Sequence, residues 1–214
     1  MATITVIGGT GYAGRNIVRE AAARGHDVTS FSRTLPDTPV PAATYLTGSA
    51  LDGSAVAAVV TSAQVVVVAL APSGDLEDRY EEVVLDIAAL AGEAGARLGV
   101  VGGAGTLLVG PDGPSLSETP DYPAEYLSYS RAAHGVLRAL RSTDPALDWF
   151  VLSPAREFGA YAPGEATGRF RVGGDVLLHD DEGRSRISGA DLATAFVDEI
   201  ESPTHRRGRF TVAY

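Results

Sequence analysis

Short apolar runs rich in β-branched residues alternate along this chain with longer segments whose apolar positions recur at helical spacing. "TITVIG" (residues 3–8) predicts a buried strand, and residues 11–24 a helix after it. "HDVTSFSR" (26–33) and "ATYLTG" (43–48) predict the second and third strands, and residues 54–62 a short helix. "QVVVVALAP" (64–72) predicts a fourth strand, whose four consecutive valines fit a parallel strand covered on both faces. In residues 76–94, Val83, Val84, Ile87, Leu90 and Ala91 fall on one helical stripe. "RLGVVGG" (97–103) and "DWFVLSP" (148–154) predict the fifth and sixth strands, with a helix over residues 122–142 between them.

Strand, helix, strand in regular order implies right-handed crossovers, hence an α/β fold: a doubly wound parallel sheet with helices on both faces, the Rossmann arrangement. Ligands of such sheets sit outside the carboxyl ends of the strands. Here those ends are Gly8 onward and residues 32–34, 69–73, 102–106 and 153–158. Beyond Ser153 the pattern turns rich in glycine and charge, with two strand-like pieces, "RFRV" (169–172) and "DVLL" (175–178). A helix over residues 188–202 follows, opened by a Ser188–Asp191 capping box, and "GRFTVAY" closes as a strand. We expect one domain over residues 1–214, in which residues 153–214 supply a small substrate-side extension and the last helix and strand.

Composition narrows the chemistry. The formal charge of −10 offers no basic surface for nucleic acid. The longest apolar run, residues 65–71, is far too short for a bilayer, and the N-terminus enters a strand without a basic leader region. Cytoplasmic residence and no membrane partner are the expectation. There is no cysteine for thiolate chemistry, and all 17 basic residues are arginines. Without lysine, Schiff-base chemistry and a lysine-bearing phosphate loop are excluded. The four histidines lack metal-ligand spacing, so no metal is expected, and "HDDEG" (179–183) reads as a turn.

"GGTGYAG" spaces Gly8, Gly11 and Gly14 three apart between a strand and a helix. Glycines there permit a tight turn and close approach of a pyrophosphate, and the helix start supplies N–H donors and a positive dipole. An NAD-selective site usually has Asp or Glu after the second strand. This chain has Ser32, Arg33 and Thr34 instead, a set suited to a 2′-phosphate, so the expected cofactor is NADP(H).

"GGTGYAGR", "VVGGAGTLLV", "ALDWFVLSPA" and "ATGRFRVGGDVLLHDDEGRSRISGADLATAFVDEIE" together resemble the atypical short-chain dehydrogenases of the NAD(P)H-binding, NmrA-like group, notably NADPH-flavin reductases and biliverdin-IXβ reductase. The resemblance covers nearly the whole chain. It implies that Gly8, Thr10, Gly11, Tyr12 and Ala13 meet the pyrophosphate, and Ser32 and Arg33 the 2′-phosphate. Ala69 and Ala71 would lie near the ribose, Gly102, Gly103 and Ala104 under the nicotinamide ribose, and Ser153, Pro154 and Ala155 beside the nicotinamide. Many relatives have Gly-Asp after the third strand. This chain reads "GSAL" at residues 48–51, leaving adenine contact to Ser49 or the backbone.

A larger departure concerns proton transfer. Standard short-chain dehydrogenases use Tyr-x-x-x-Lys, whereas four residues after Tyr122, Tyr126 and Tyr129 come Tyr126, Ser130 and Ala133. No catalytic residue is assigned. Hydride transfer to an electron-poor planar ring does not require that pair. Tyr126, Tyr129 and Phe158, with Tyr161, suit a flat slot for a flavin, quinone or similar substrate, and Arg156 suits an acidic tail. His134 is expected to pack rather than act as an acid. The alternative is a non-enzymatic NADP(H)-sensing regulator of the NmrA-like type; epimerase or dehydratase chemistry loses its usual lysine. A monomer or a homodimer is compatible with this reading.

Overall fold

A computed structural model describes residues 1–214. The elements run β1 (Thr3–Ile7), α1 (Tyr12–Ala23), β2 (Asp27–Ser32), β3 (Ala43–Thr47), α2 (Gly53–Val60), β4 (Val65–Val68), α3 (Tyr80–Glu93) and β5 (Arg97–Val101). They continue with α4 (Leu127–Arg141), β6 (Trp149–Ser153), β7 (Arg171–Gly173), α5 (Gly189–Glu201) and β8 (Gly208–Ala213). All eight strands form one sheet in the order β3-β2-β1-β4-β5-β6-β8-β7. Every neighbouring pair is parallel except β7 with β8. The order reverses between β1 and β4, so the crevice beyond their carboxyl ends is the switch point where such sheets bind ligands.

The valine run of β4 shows why the sheet needs two helical layers. Val65 and Val67 pack with Ile17, Val18 and Phe196 of α1 and α5. Val66 and Val68 pack on the opposite face with Val83, Ile87 and Leu140 of α3 and α4. Strand alternation thus sends successive valines into separate cores, each buried valine contributing roughly 1.5–3 kcal/mol. The last helix and strand belong to this sandwich: α5 packs on α1, and β8 pairs in parallel with β6. No helix is long and apolar enough to cross a membrane.

Three local expectations are corrected. The helix expected from residue 122 begins at Leu127, after a 3-10 turn over Ala124–Tyr126. Pro123 disfavours helical dihedrals at Tyr122 and is itself extended, so the helix starts only after it. Residues 175–178 do not form a strand. After Gly173 and Gly174 the chain leaves the sheet edge, and this stretch exchanges backbone hydrogen bonds with Leu108. The capping box at α5 is half formed: Ser188 Oγ accepts the Asp191 N–H, but the Asp191 carboxylate turns to residues 167 and 168 and to the Tyr214 hydroxyl. Residues 179–183 are a turn, with the Asp180 carboxylate accepting the N–H groups of Glu182 and Arg184.

Candidate functional site

The site begins where β1 meets α1. Gly8 adopts φ +88°, and a Cβ placed on it would lie 2.5 Å from the Ala69 carbonyl oxygen at the end of β4. A Cβ on Gly14 would lie 2.2 Å from the Gly8 carbonyl oxygen, so only glycine lets α1 start this close to the strand. The loop is fixed by Gly8 N–H donating to Phe31 O and Thr10 N–H donating to Ser32 Oγ. No side chain caps α1, and its first turn holds no acid. Both α2 and α5 are capped, by Asp52 and Ser188. The first amides of α1 are therefore free to meet an anion.

A cleft of about 1050 Å³ opens above these amides and runs along the carboxyl edge of the sheet. Of the cofactor residues expected from the sequence, Gly8, Thr10, Gly11, Tyr12, Ala13, Ser32, Arg33, Thr34, Ala69, Ala71, Gly102, Gly103, Ala104, Pro154 and Ala155 line it. Ser153 does not. It is the last residue of β6 and fully buried, its hydroxyl 3.4 Å from Thr106 Oγ1 and its carbonyl accepting the Thr211 hydroxyl. Ser153 is still paired within the sheet, to Thr211 of β8, whereas Pro154 and Ala155 lie beyond the strand end and line the cleft.

Arg33 projects from the end of β2, 70% exposed, with Asp75 as its distant partner at 3.7 Å. Because β2 and β4 flank β1, this contact arches over the glycine loop. At the same end, Phe31, Ala50 and Leu51 make an apolar wall beside Ser49, whose hydroxyl accepts the Leu51 N–H. Asp52, the nearest acid, caps α2 instead of facing the cleft.

The far end is aromatic. Tyr126, Tyr129, Phe158 and Tyr161 line it together with Arg156, whose guanidinium makes no ion pair. Tyr126 and Tyr129 meet edge to face at 6.4 Å, as do Tyr12 and Phe158 at 5.2 Å. Burial raises the Tyr161 hydroxyl above the ordinary phenol range. His134 faces away from the cleft, its Nε2 3.3 Å from Ser117 Oγ, and burial holds it below the usual histidine range.

Several lining residues carry no isolated sequence signal. Asp75 and Leu116 come from loops whose neighbours are fixed only by strand order, whereas Gly105 and Glu157 fall within the strand ends 102–106 and 153–158. Tyr122 and Ser130 were visible as failed matches to Tyr-x-x-x-Lys, yet they join directly, hydroxyl to hydroxyl, at 2.7 Å.

A family described as NAD(P)H-binding matches residues 8–203. The uncharacterized protein YwnB of Bacillus subtilis (strain 168) is 35% identical over 210 residues, covering 98% of this chain and 97% of the relative. A Burkholderia pseudomallei protein provisionally described as exported is 37% identical, with TM-score 0.88 and full coverage of both chains. A Bacteroides thetaiotaomicron protein provisionally assigned as an epimerase is 31% identical, with TM-score 0.89, covering 100% of this chain and 97% of its own. A Streptococcus pneumoniae TIGR4 protein provisionally assigned as an NADH-flavin reductase is 28% identical, with TM-score 0.87, covering 100% of this chain and 99% of its own.

Proposed function

The chain belongs to the NAD(P)H-binding family, and on that premise we propose that it is an NADPH-dependent reductase delivering hydride to a planar acceptor such as a flavin or a quinone. The observation that carries this reading is the single cleft joining two chemically different regions. One has an uncapped helix start and Arg33; the other has three tyrosines, Phe158 and an unpaired Arg156. The strands beneath them, β2 and β6, stand four sheet spacings apart, about 19 Å, a span suited to an extended dinucleotide with an acceptor at its far end.

In this reading the amides of Tyr12 and Ala13 hold the pyrophosphate, Arg33 pairs with a 2′-phosphate, and Phe31 with Leu51 flanks the adenine. When bound, NADPH supplies the hydride. Tyr126, Tyr129 and Phe158 orient the acceptor's ring and exclude water, and Arg156 meets an acidic tail such as a flavin phosphate. The absence of lysine removes the usual tuning of a catalytic tyrosine, which favours acceptors whose reduced form spreads its charge.

The test is to follow NADPH absorbance with purified protein and FMN, riboflavin or a naphthoquinone. Saturable turnover is expected, with Arg156→Ala raising KM for FMN more than for riboflavin. NADPH binding without turnover on any of them would replace this reading with the NADP(H)-sensing regulator.

A further inference from the structure

Tyr122 and Ser130 meet inside the cleft, the two oxygens 2.7 Å apart. Tyr122 lies in the bend just before Pro123, and Ser130 in the first turn of α4. The meeting point is kept open by Gly105, where a Cβ would lie 2.1 Å from Ser130 Oγ and 2.6 Å from the Tyr122 oxygen. Gly105 directly follows the segment 102–104 at the end of β5.

Two hydroxyls share one hydrogen bond, and neither has another partner in the protein. Each carries one proton, so whichever way the bond runs, one O–H is left over. Ser130 is 4% exposed and could have bonded back to its own helix, yet its only partner is Tyr122. A spare donor at a lining position is thus held in place by a second hydroxyl.

We propose that the Tyr122–Ser130 pair binds the oxygen of a carbonyl-type acceptor, quinones above all, and protonates it as it is reduced. This rests on the reductase reading for the reaction, but not for the oxygen-binding role. As hydride adds to the conjugated acceptor, the displaced electron pair settles on its carbonyl oxygen. The Tyr122 O–H bond breaks and the proton forms a new O–H bond on the acceptor. The tyrosine oxygen regains a proton from water in the open cleft through the Ser130 hydroxyl, which takes up one proton as it gives up the other. The sum is NADPH, a proton and a quinone giving NADP⁺ and a hydroquinone. The pair thereby supplies a proton donor in a chain that has no Tyr-x-x-x-Lys.

The test uses the full chain saturated with NADP⁺, with the anion of 2-hydroxy-1,4-naphthoquinone as the oxygen-bearing probe and Tyr122→Phe and Ser130→Ala as variants. Each variant is expected to weaken the probe about 5- to 20-fold while NADP⁺ affinity, which reports folding, stays unchanged. In turnover with a naphthoquinone, Tyr122→Phe should lower kcat about 100-fold and remove the solvent deuterium isotope effect. Equal probe binding by wild type and both variants overturns the proposal, as does a wild type that binds NADP⁺ but not the probe. Loss of probe binding in the variants, with no wild-type turnover, keeps the oxygen-binding pair and defeats the reductase reading instead.

Discussion

The hydroxyl of Tyr12 accepts the N–H of Gly189, 177 residues further along the chain, at 3.1 Å. It also donates to Pro163 O at 3.0 Å, while its ring meets Phe158 edge to face. One residue at the start of α1 therefore ties the glycine loop to the start of α5 and to the segment beside the aromatic end of the cleft. Tyr12→Phe keeps the ring and the loop amide and loses both hydrogen bonds. It should cost about 1–2 kcal/mol in urea unfolding. Amide exchange in residues 158–164 should rise with little change in NADPH affinity.

Arg33 has only an exposed and distant acidic partner, so a 2′-phosphate competes with little. Arg33→Ala should weaken NADPH binding roughly 10- to 100-fold and leave NADH nearly unchanged, since a charge-assisted bond is worth about 1.5–3 kcal/mol. Asp75→Asn should tighten NADPH by a factor of a few, most visibly at low salt. Titration of cofactor fluorescence checks both.

Acid stability should hinge on Glu199, which is 3% exposed at the opposite edge of the sheet from the cleft. Burial pushes its carboxyl upward. Hydrogen bonds from Arg97, Thr204 and His205 outweigh that and hold it at about 2, from an ordinary 4.5. A folded value below the unfolded one gives stability that is complete above the unfolded pKa and lost as pH falls through the folded one. The loss should run from about pH 5 to about pH 2 and amount to about 3 kcal/mol. Glu199→Gln should flatten that dependence and destabilise the protein by about 3 kcal/mol at neutral pH, because Arg97 loses its buried partner. Urea unfolding across pH measures both effects.

Gly14→Ala should be the most damaging single change at the loop. Its methyl group would meet the Gly8 carbonyl oxygen at 2.2 Å, a backbone atom that cannot step aside without moving β1 or α1. Loss of NADPH binding and a stability drop of about 2 kcal/mol or more are expected, read by cofactor titration and thermal unfolding.

The sheet was legible because its strands are continuous β-branched runs, with the valines of β4 showing cover on both faces. The glycine loop and Arg33 were legible because each lies at a strand end, where local spacing decides position. The cleft's other wall was not. Asp75 reaches Arg33 only because β4 inserts beside β1, a fact of strand order. Tyr122 reaches Ser130 only because Pro123 delays the helix, so residues eight apart come together. Ser153 lay one position too early, still paired within β6. Residues 175–178 looked like a strand from composition, but the two glycines before them direct the chain away from the sheet edge.

The measurement that tests the central claim most directly compares the rates at which NADPH and NADPH deuterated at the transferred C4 position are consumed with a naphthoquinone acceptor. Direct hydride transfer predicts oxidation saturable in acceptor and slower for the deuterated cofactor under single-turnover conditions. Tight NADPH binding with no acceptor-dependent oxidation would contradict the reductase account.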